Sequence, residues 1–199
     1  DLLRAGLSRV ESSMRRGVER GKLAAADMDA ARVRIRGTTT LGDLGDSDLV
    51  VEAVIEQMDP KKEVFRELDA LCPPRTLFAS NTSSLSITEM ASATKRAERF
   101  VGMHFFNPVP VMKLVELIRG FQTSEDTMVT ARAFAESVGK TVVVCKDSPG
   151  FIVNLLLVPY LLDAVRALEL GIATKEDIDT AVQLGLAHPM GPLTLLDYV

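Results

Sequence analysis

The sequence predicts an α/β fold: a largely parallel sheet with helices on both faces, followed by a part built of helices alone. Three observations predict it. Short apolar runs rich in β-branched residues, at 49–55, 76–80, 100–106, 111–118 and 141–145, are interleaved with helical patterns. The run 49–55 (LVVEAVI) is continuous, as a strand buried on both faces would be. After Lys146-Asp147-Ser148-Pro149-Gly150 no strand signal remains, so a domain boundary is expected between 1–147 and 148–199. With 199 residues, one or two domains and a substantial core are available.

Each element has a local cause. Leu3, Leu7, Val10, Met14 and Val18 recur at spacings of three and four, one face of an amphipathic helix that Gly21 can end. Residues 24–33 form a second short helix. Asp59 is expected to cap the next helix, with Pro60 at its first position and its end near Leu71. Ser86 and Glu89 have the spacing of a capping box. The strands 100–106 and 111–118 are joined by the stiff turn Asn107-Pro108-Val109-Pro110. A helix over 124–138 stops at Gly139. Beyond the boundary, a long apolar helix covers 151–170, Thr174 caps a shorter one, and Pro192 opens a third. Residues 195–199 read as a helix cut mid-run, and both ends of the chain read as truncated.

Composition excludes several functions. The net charge is −4, from 23 basic and 27 acidic residues, with no basic stripe, which argues against nucleic acid as a partner. No apolar run reaches the ~18 residues of a membrane span. Cys72 and Cys145 lie far apart without metal spacing and read as buried thiols in a reducing compartment.

Few residues are equipped for chemistry. His104 ends an apolar strand, and Glu116 lies twelve positions on, in the next strand. A short turn between the strands would bring the carboxylate to the imidazole, fixing its tautomer as a general base requires; from spacing alone, a satisfied core histidine and an unrelated surface glutamate is the commoner outcome. Asn81-Thr82-Ser83-Ser84 and His104-Phe105-Phe106-Asn107 both follow strands, where α/β sheets bind ligands, and two such clusters favour one shared site. Asn154 interrupts an apolar helix and needs a partner, in the core or in a cleft. Glu56 and Lys61 would be unremarkable as a surface pair, and His188 lies in a breaker-rich loop. No G-x-G-x-x-G occurs, so a dinucleotide domain would have its first βαβ unit upstream.

Three segments carry a resemblance: Ser80 to Leu85 (SNTSSL), Gly102 to Glu116 (GMHFFNPVPVMKLVE) and Lys146 to Asn154 (KDSPGFIVN). With 48–56 and 188–198, they make essentially the whole chain resemble the L-3-hydroxyacyl-CoA dehydrogenase family, most closely its bacterial members acting on 3-hydroxybutyryl-CoA. The resemblance implies an incomplete Rossmann-type NAD-binding domain followed by the start of a helical substrate and dimerisation domain. It implies reversible NAD-dependent oxidation of an L-3-hydroxyacyl-CoA in fatty acid metabolism. His104 is then the catalytic base and Glu116 its partner, and Ser83 and Asn154 meet the substrate oxygen. Glu56, Lys61, Asn81 and Asn107 face the nicotinamide half of NAD, and Ser13 and Arg20 face CoA. No metal is implied. A bacterial cytoplasmic homodimer is expected, and a chain lacking both family ends is expected to bind NAD weakly and to be inactive alone. Two other outcomes share these residues or this fold: a gulonate-type 3-hydroxy-acid dehydrogenase, and a non-catalytic relative of the lens-crystallin kind.

Overall fold

Side-chain alternation along five strands divides the core into two layers. The strands are β1 (Leu49–Glu52), β2 (Leu77–Ser80), β3 (Phe100–Phe105), β4 (Leu114–Arg119) and β5 (Thr141–Lys146), hydrogen-bonded in sequence order. In this computed structural model, which describes residues 1–198, β1, β2 and β3 run parallel, β4 reverses, and β5 runs parallel to β4. Val50, Phe78, Phe100 and Ile118 point to one face and pack under the helices α3 (Met58–Leu71) and α4 (Ile87–Ala91). Leu77, Ala79, Val101, Met103, Val115 and Leu117 point to the other face, against α5 (Glu125–Ser137). The expected mostly parallel sheet with helices on both faces is present. On the first face, Phe65 of α3 lies with its ring centroid 4.5 Å from that of Phe100, an edge-on aromatic contact. Gly102 is needed there: a Cβ would come within 2.8 Å of side-chain carbons of Ile118 and Ile87.

Before the sheet come α1 (Leu2–Glu19) and α2 (Ala25–Arg32). The predicted apolar face of α1 is only partly covered: no residue of the helix is buried, and Leu7 and Val10 are exposed. After β5 the chain is helical: α6 (Val153–Glu169), α7 (Lys175–Gly185) and α8 (Pro192–Leu196) pack on one another. Pro192 opens α8 and Thr174 caps α7 as expected. The helix read over 195–199 instead ends at Leu196, and Val199 lies outside the described residues. No helix among the described residues is long and apolar enough to cross a membrane.

Four expectations need correction. The run 49–55 is a strand only as far as Glu52, and Val51 is 38% exposed, so it is not buried on both faces. The cause is local: Glu52 Oε1 accepts the Val54 N–H at 2.6 Å, which turns that amide out of the ladder. In the same way Val111 and Met112 donate to the Pro108 carbonyl rather than to β3, so β4 starts at Leu114. Gln57, not Asp59, is the N-cap of α3, and Asp59 instead sits in the first turn, where a negative charge favours the helix N-terminus. Finally α6 starts at Val153, because Gly150 (φ 76°) and Phe151 (φ 53°) take left-handed backbone just before it.

The passage from sheet to helices is clamped by Asp147. Its carboxylate accepts the Ile87 N–H (3.0 Å), the Thr88 N–H (2.7 Å) and the Ser86 hydroxyl (2.9 Å) at the start of α4. Burial alone would raise its pKa, but the hydrogen bonds from Thr88, Ile87 and Ser86 outweigh it and hold the carboxyl below its ordinary value. A pKa lowered by folding stabilises at neutral pH, and that contribution fades as pH falls through the folded value, below about pH 4. Asp147→Asn is therefore expected to cost about 2 kcal/mol at neutral pH, or ~4–8 °C in melting temperature. The two melting curves should converge on acidification, and a gap that persists undiminished in acid would show that the charge is not what stabilises the clamp.

Candidate active site

The edge where β1, β2 and β3 end collects the polar residues. Their carboxyl ends lie side by side because the strands are parallel. Glu52, Ser80 and His104 end up on the α3/α4 face by alternation, and Glu116 joins them from β4. Asn81 ties two loops together: its N–H donates to the Glu52 carbonyl, and its Oδ1 accepts the Phe105 N–H at 2.8 Å. The two polar clusters therefore lie side by side at one edge of the sheet.

His104 and Glu116 are register partners across the β3–β4 pair. His104 Nδ1 lies 2.7 Å from Glu116 Oε2; the carboxylate is fully buried and the imidazole 6% exposed. The ring is flanked by Phe106 and Phe151, at 4.4 and 5.8 Å between centroids. In the neutral imidazole a carboxylate at Nδ1 selects the tautomer with the proton on that nitrogen and the lone pair on Nε2. The other carboxylate oxygen, Oε1, accepts the N–H groups of Ile152 (3.1 Å) and Val153 (2.9 Å) at the start of α6. Their amides reach it because Phe151 and Gly150 turn the backbone left-handed. The pair is thus more than a buried histidine beside an unrelated surface glutamate.

Glu56 and Lys61 are not the surface pair that spacing allowed. Lys61 is 1% exposed; its Nζ lies 2.8 Å from Glu52 Oε1, 3.1 Å from Glu56 Oε2 and 3.4 Å from the Val54 carbonyl. Glu56 remains partly exposed and latches the loop after β2: its Oε1 accepts the Thr82 hydroxyl and, at 2.7 Å, the Ser83 N–H. Partial burial raises the Glu56 pKa, but the Thr82, Ser83 and Lys61 contacts outweigh it and bring it below the ordinary value. Ser83 in turn accepts, through its carbonyl, the Asn154 amide from α6 at 3.3 Å. Asn154 therefore faces the loop after β2 rather than the core of the helices.

Other expected residues lie apart. Asn107 is exposed just past β3. Ser13 and Arg20 sit on α1 and at its C-cap, and among the described residues neither hydrogen-bonds to the groups above. His188 is exposed and 3.3 Å from the Tyr160 hydroxyl. Both cysteines are free; Cys72 is buried, but Cys145 only partly. Burial, with the nearby charges of Glu116 and Asp147, pushes the Cys145 thiol up to about 11. Glu52 went unnoticed as a site residue, although a carboxylate inside an apolar strand must find partners and was itself the signal. Phe151 left none beyond the Gly150 that precedes it.

Comparison with known proteins places this arrangement. The family model for the NAD-binding domain of 3-hydroxyacyl-CoA dehydrogenase matches residues 1–148, and that for its C-terminal domain matches 150–199. The chain belongs to the 3-hydroxyacyl-CoA dehydrogenase family. Among relatives of this family, the probable 3-hydroxybutyryl-CoA dehydrogenase of Bacillus subtilis is 47% identical over 195 residues, which span 98% of this chain and 68% of that protein. The crystal structure of Mycobacterium tuberculosis FadB2 superposes with a TM-score of 0.96 at 50% identity, covering 100% of this chain and 70% of that one. That of the (S)-3-hydroxybutyryl-CoA dehydrogenase PaaH1 from Ralstonia eutropha gives 0.96 at 45% identity, covering 98% and 69%.

The two roles of Glu116 can be separated. Glu116→Gln keeps an acceptor for Ile152 and Val153, so it is expected to melt close to wild type. Glu116→Ala leaves both amides without their partner and is expected to cost about 3 kcal/mol or more. Indistinguishable melting curves for the two variants would mean that the carboxylate does not hold the start of α6.

Proposed function

We propose that this chain carries the reacting centre of an NAD-dependent L-3-hydroxyacyl-CoA dehydrogenase, most simply one acting on short-chain 3-hydroxybutyryl-CoA. One observation carries the proposal: a buried carboxylate 2.7 Å from His104 Nδ1, which leaves Nε2 as a base at the carboxyl edge of a parallel sheet. The names of the Bacillus subtilis and Ralstonia eutropha relatives support the substrate class. A role in fatty acid β-oxidation goes with that substrate class. Membership of an NAD-binding family supports the cofactor.

In this reading His104 Nε2 takes the proton of the 3-hydroxyl as the alcohol becomes a ketone, and returns it in the reverse direction. Glu116 holds the ring in place and balances the imidazolium that forms. Ser83 and the Asn154 amide stand where they can hold the substrate oxygen and stabilise charge developing on it. NAD, when bound, supplies the acceptor for the hydride leaving C3. The groups present fit its nicotinamide end: Asn81 and Asn107 offer amides, and Glu56 offers a partly exposed carboxylate with Lys61 behind it. Ser13 and Arg20 would serve the CoA end from α1. Residues 1–147 form the cofactor domain and 148–199 the start of the substrate domain. A cytoplasmic homodimer without nucleic-acid or membrane partners completes the proposal.

In the full-length protein His104→Gln is expected to lower kcat by at least ~10²-fold, the scale of a positioned general base. NAD affinity, followed by calorimetry, should hardly change. Reduction of acetoacetyl-CoA, followed by loss of NADH absorbance, reads the rate. A variant that keeps most of its activity would remove His104 from the reaction.

A further inference from the structure

Behind the site lies a buried carboxylate, Glu52, to which the proposed reaction gives no role. Glu52, at the end of β1, is 4% exposed yet accepts three groups: the Val54 N–H, Lys61 Nζ and, at 2.6 Å on Oε2, the Ser80 hydroxyl. Lys61, from α3, donates to Glu52 Oε1 and to the Val54 carbonyl, and its ammonium pairs with Glu56 Oε2 at 3.1 Å. At 1% exposure the lysine is enclosed between the two carboxylates. Glu56 then passes the constraint outward to Thr82 and Ser83, and Ser83 passes it to Asn154. The contacts run in an unbroken line from β1 through α3 and the loop after β2 to α6.

We infer that Glu52 and Lys61 form a buried positioning strut, which sets Glu56 and through it the Ser83 loop. The geometry favours this over a purely structural pair. A structural ion pair is complete with two partners, whereas this lysine is shared between a buried carboxylate and a partly exposed one. The exposed carboxylate spends its other oxygen on the loop. Removing the Glu52 charge leaves Lys61 with the Glu56 carboxylate and the Val54 carbonyl, and the ammonium is pulled toward the open side of the site. The Glu56 carboxylate can then turn from the Ser83 amide, and the loop loses its latch. The expected effect on turnover rests on Ser83 meeting the substrate oxygen, as proposed above; the expected effect on the loop does not.

The test uses the full-length protein with Glu52→Gln, which keeps the shape of the side chain. Asp69→Asn, at the buried Arg96–Asp69 pair elsewhere on α3, is the control for destabilisation without loss of positioning. Hydrogen exchange at residues 82–85 should speed up about tenfold in Glu52→Gln and stay unchanged in the control. Turnover by Glu52→Gln should fall about tenfold against wild type but less than about twofold in a Ser83→Ala background, the non-additivity expected of residues acting through one another. Unchanged loop exchange, or losses that multiply in the double variant, would overturn the strut. If exchange speeds up while Ser83→Ala turns over normally, the strut stands and the substrate role of Ser83 falls. Should Glu52→Gln fail to fold, Glu56→Gln cuts the same line at its exposed link, and the same exchange result is required of it.

Discussion

The Glu116 carboxylate is the constraint on which the rest depends. A buried carboxylate is costly unless its lone pairs are filled, and here they are filled from two directions. Oε2 meets the imidazole of β3, and Oε1 meets two backbone amides at the start of α6. One side chain thus fixes the histidine and the point at which the helical part leaves the sheet. The helix N-terminus contributes its own partial positive charge to the carboxylate, so the interaction supports the helix and the acid together. The left-handed backbone at Gly150 and Phe151 belongs to the same arrangement, because it aims the amides and brings the Phe151 ring against His104.

The same device recurs on this face of the molecule. Glu52, Glu116 and Asp147 each accept a backbone amide that would otherwise be unpaired, and each also accepts or pairs with a side chain from another element. Glu52 joins β1 to β2 and α3, Glu116 joins β4 to β3 and α6, and Asp147 joins the end of β5 to α4. Acidic side chains therefore set the relative positions of the elements that carry the site. Apolar packing supplies cohesion, but it does not by itself fix a ring nitrogen to within a few tenths of an ångström. That tolerance is what positioning of a reacting group requires.

Much of this was legible in the sequence. Alternating apolar runs and helical patterns gave the sheet and its two helical layers, and caps such as Ser86, Ser124 and Thr174 bond as helix N-caps do. The twelve-residue interval from His104 to Glu116 became a register pair because a hairpin fixes which residues face each other. What the sequence did not show was the end of each strand. Strand 49–55 stops early because one side chain captures an amide, and β4 starts late because a turn captures two. Both are tertiary events with no periodicity. The burial of Lys61 was not legible for a related reason: a lysine five residues after a glutamate looks solvated until the carboxylate of β1 is brought beneath it.

The electrostatics also favour proton transfer over covalent chemistry at this site. Cys145 sits in β5 opposite Ile118, within reach of the charge of Glu116, and a thiol is in principle a nucleophile toward a thioester. Its thiol is held up to about 11 by burial and by the charges of Glu116 and Asp147, so almost none is thiolate at neutral pH. The charge of Glu116 acts in opposite senses on its two neighbours: it stabilises an imidazolium as it forms and destabilises a thiolate. Beside the base, then, the thiol is held in its neutral form, and the same carboxylate that supports proton transfer keeps the sulfur a poor nucleophile.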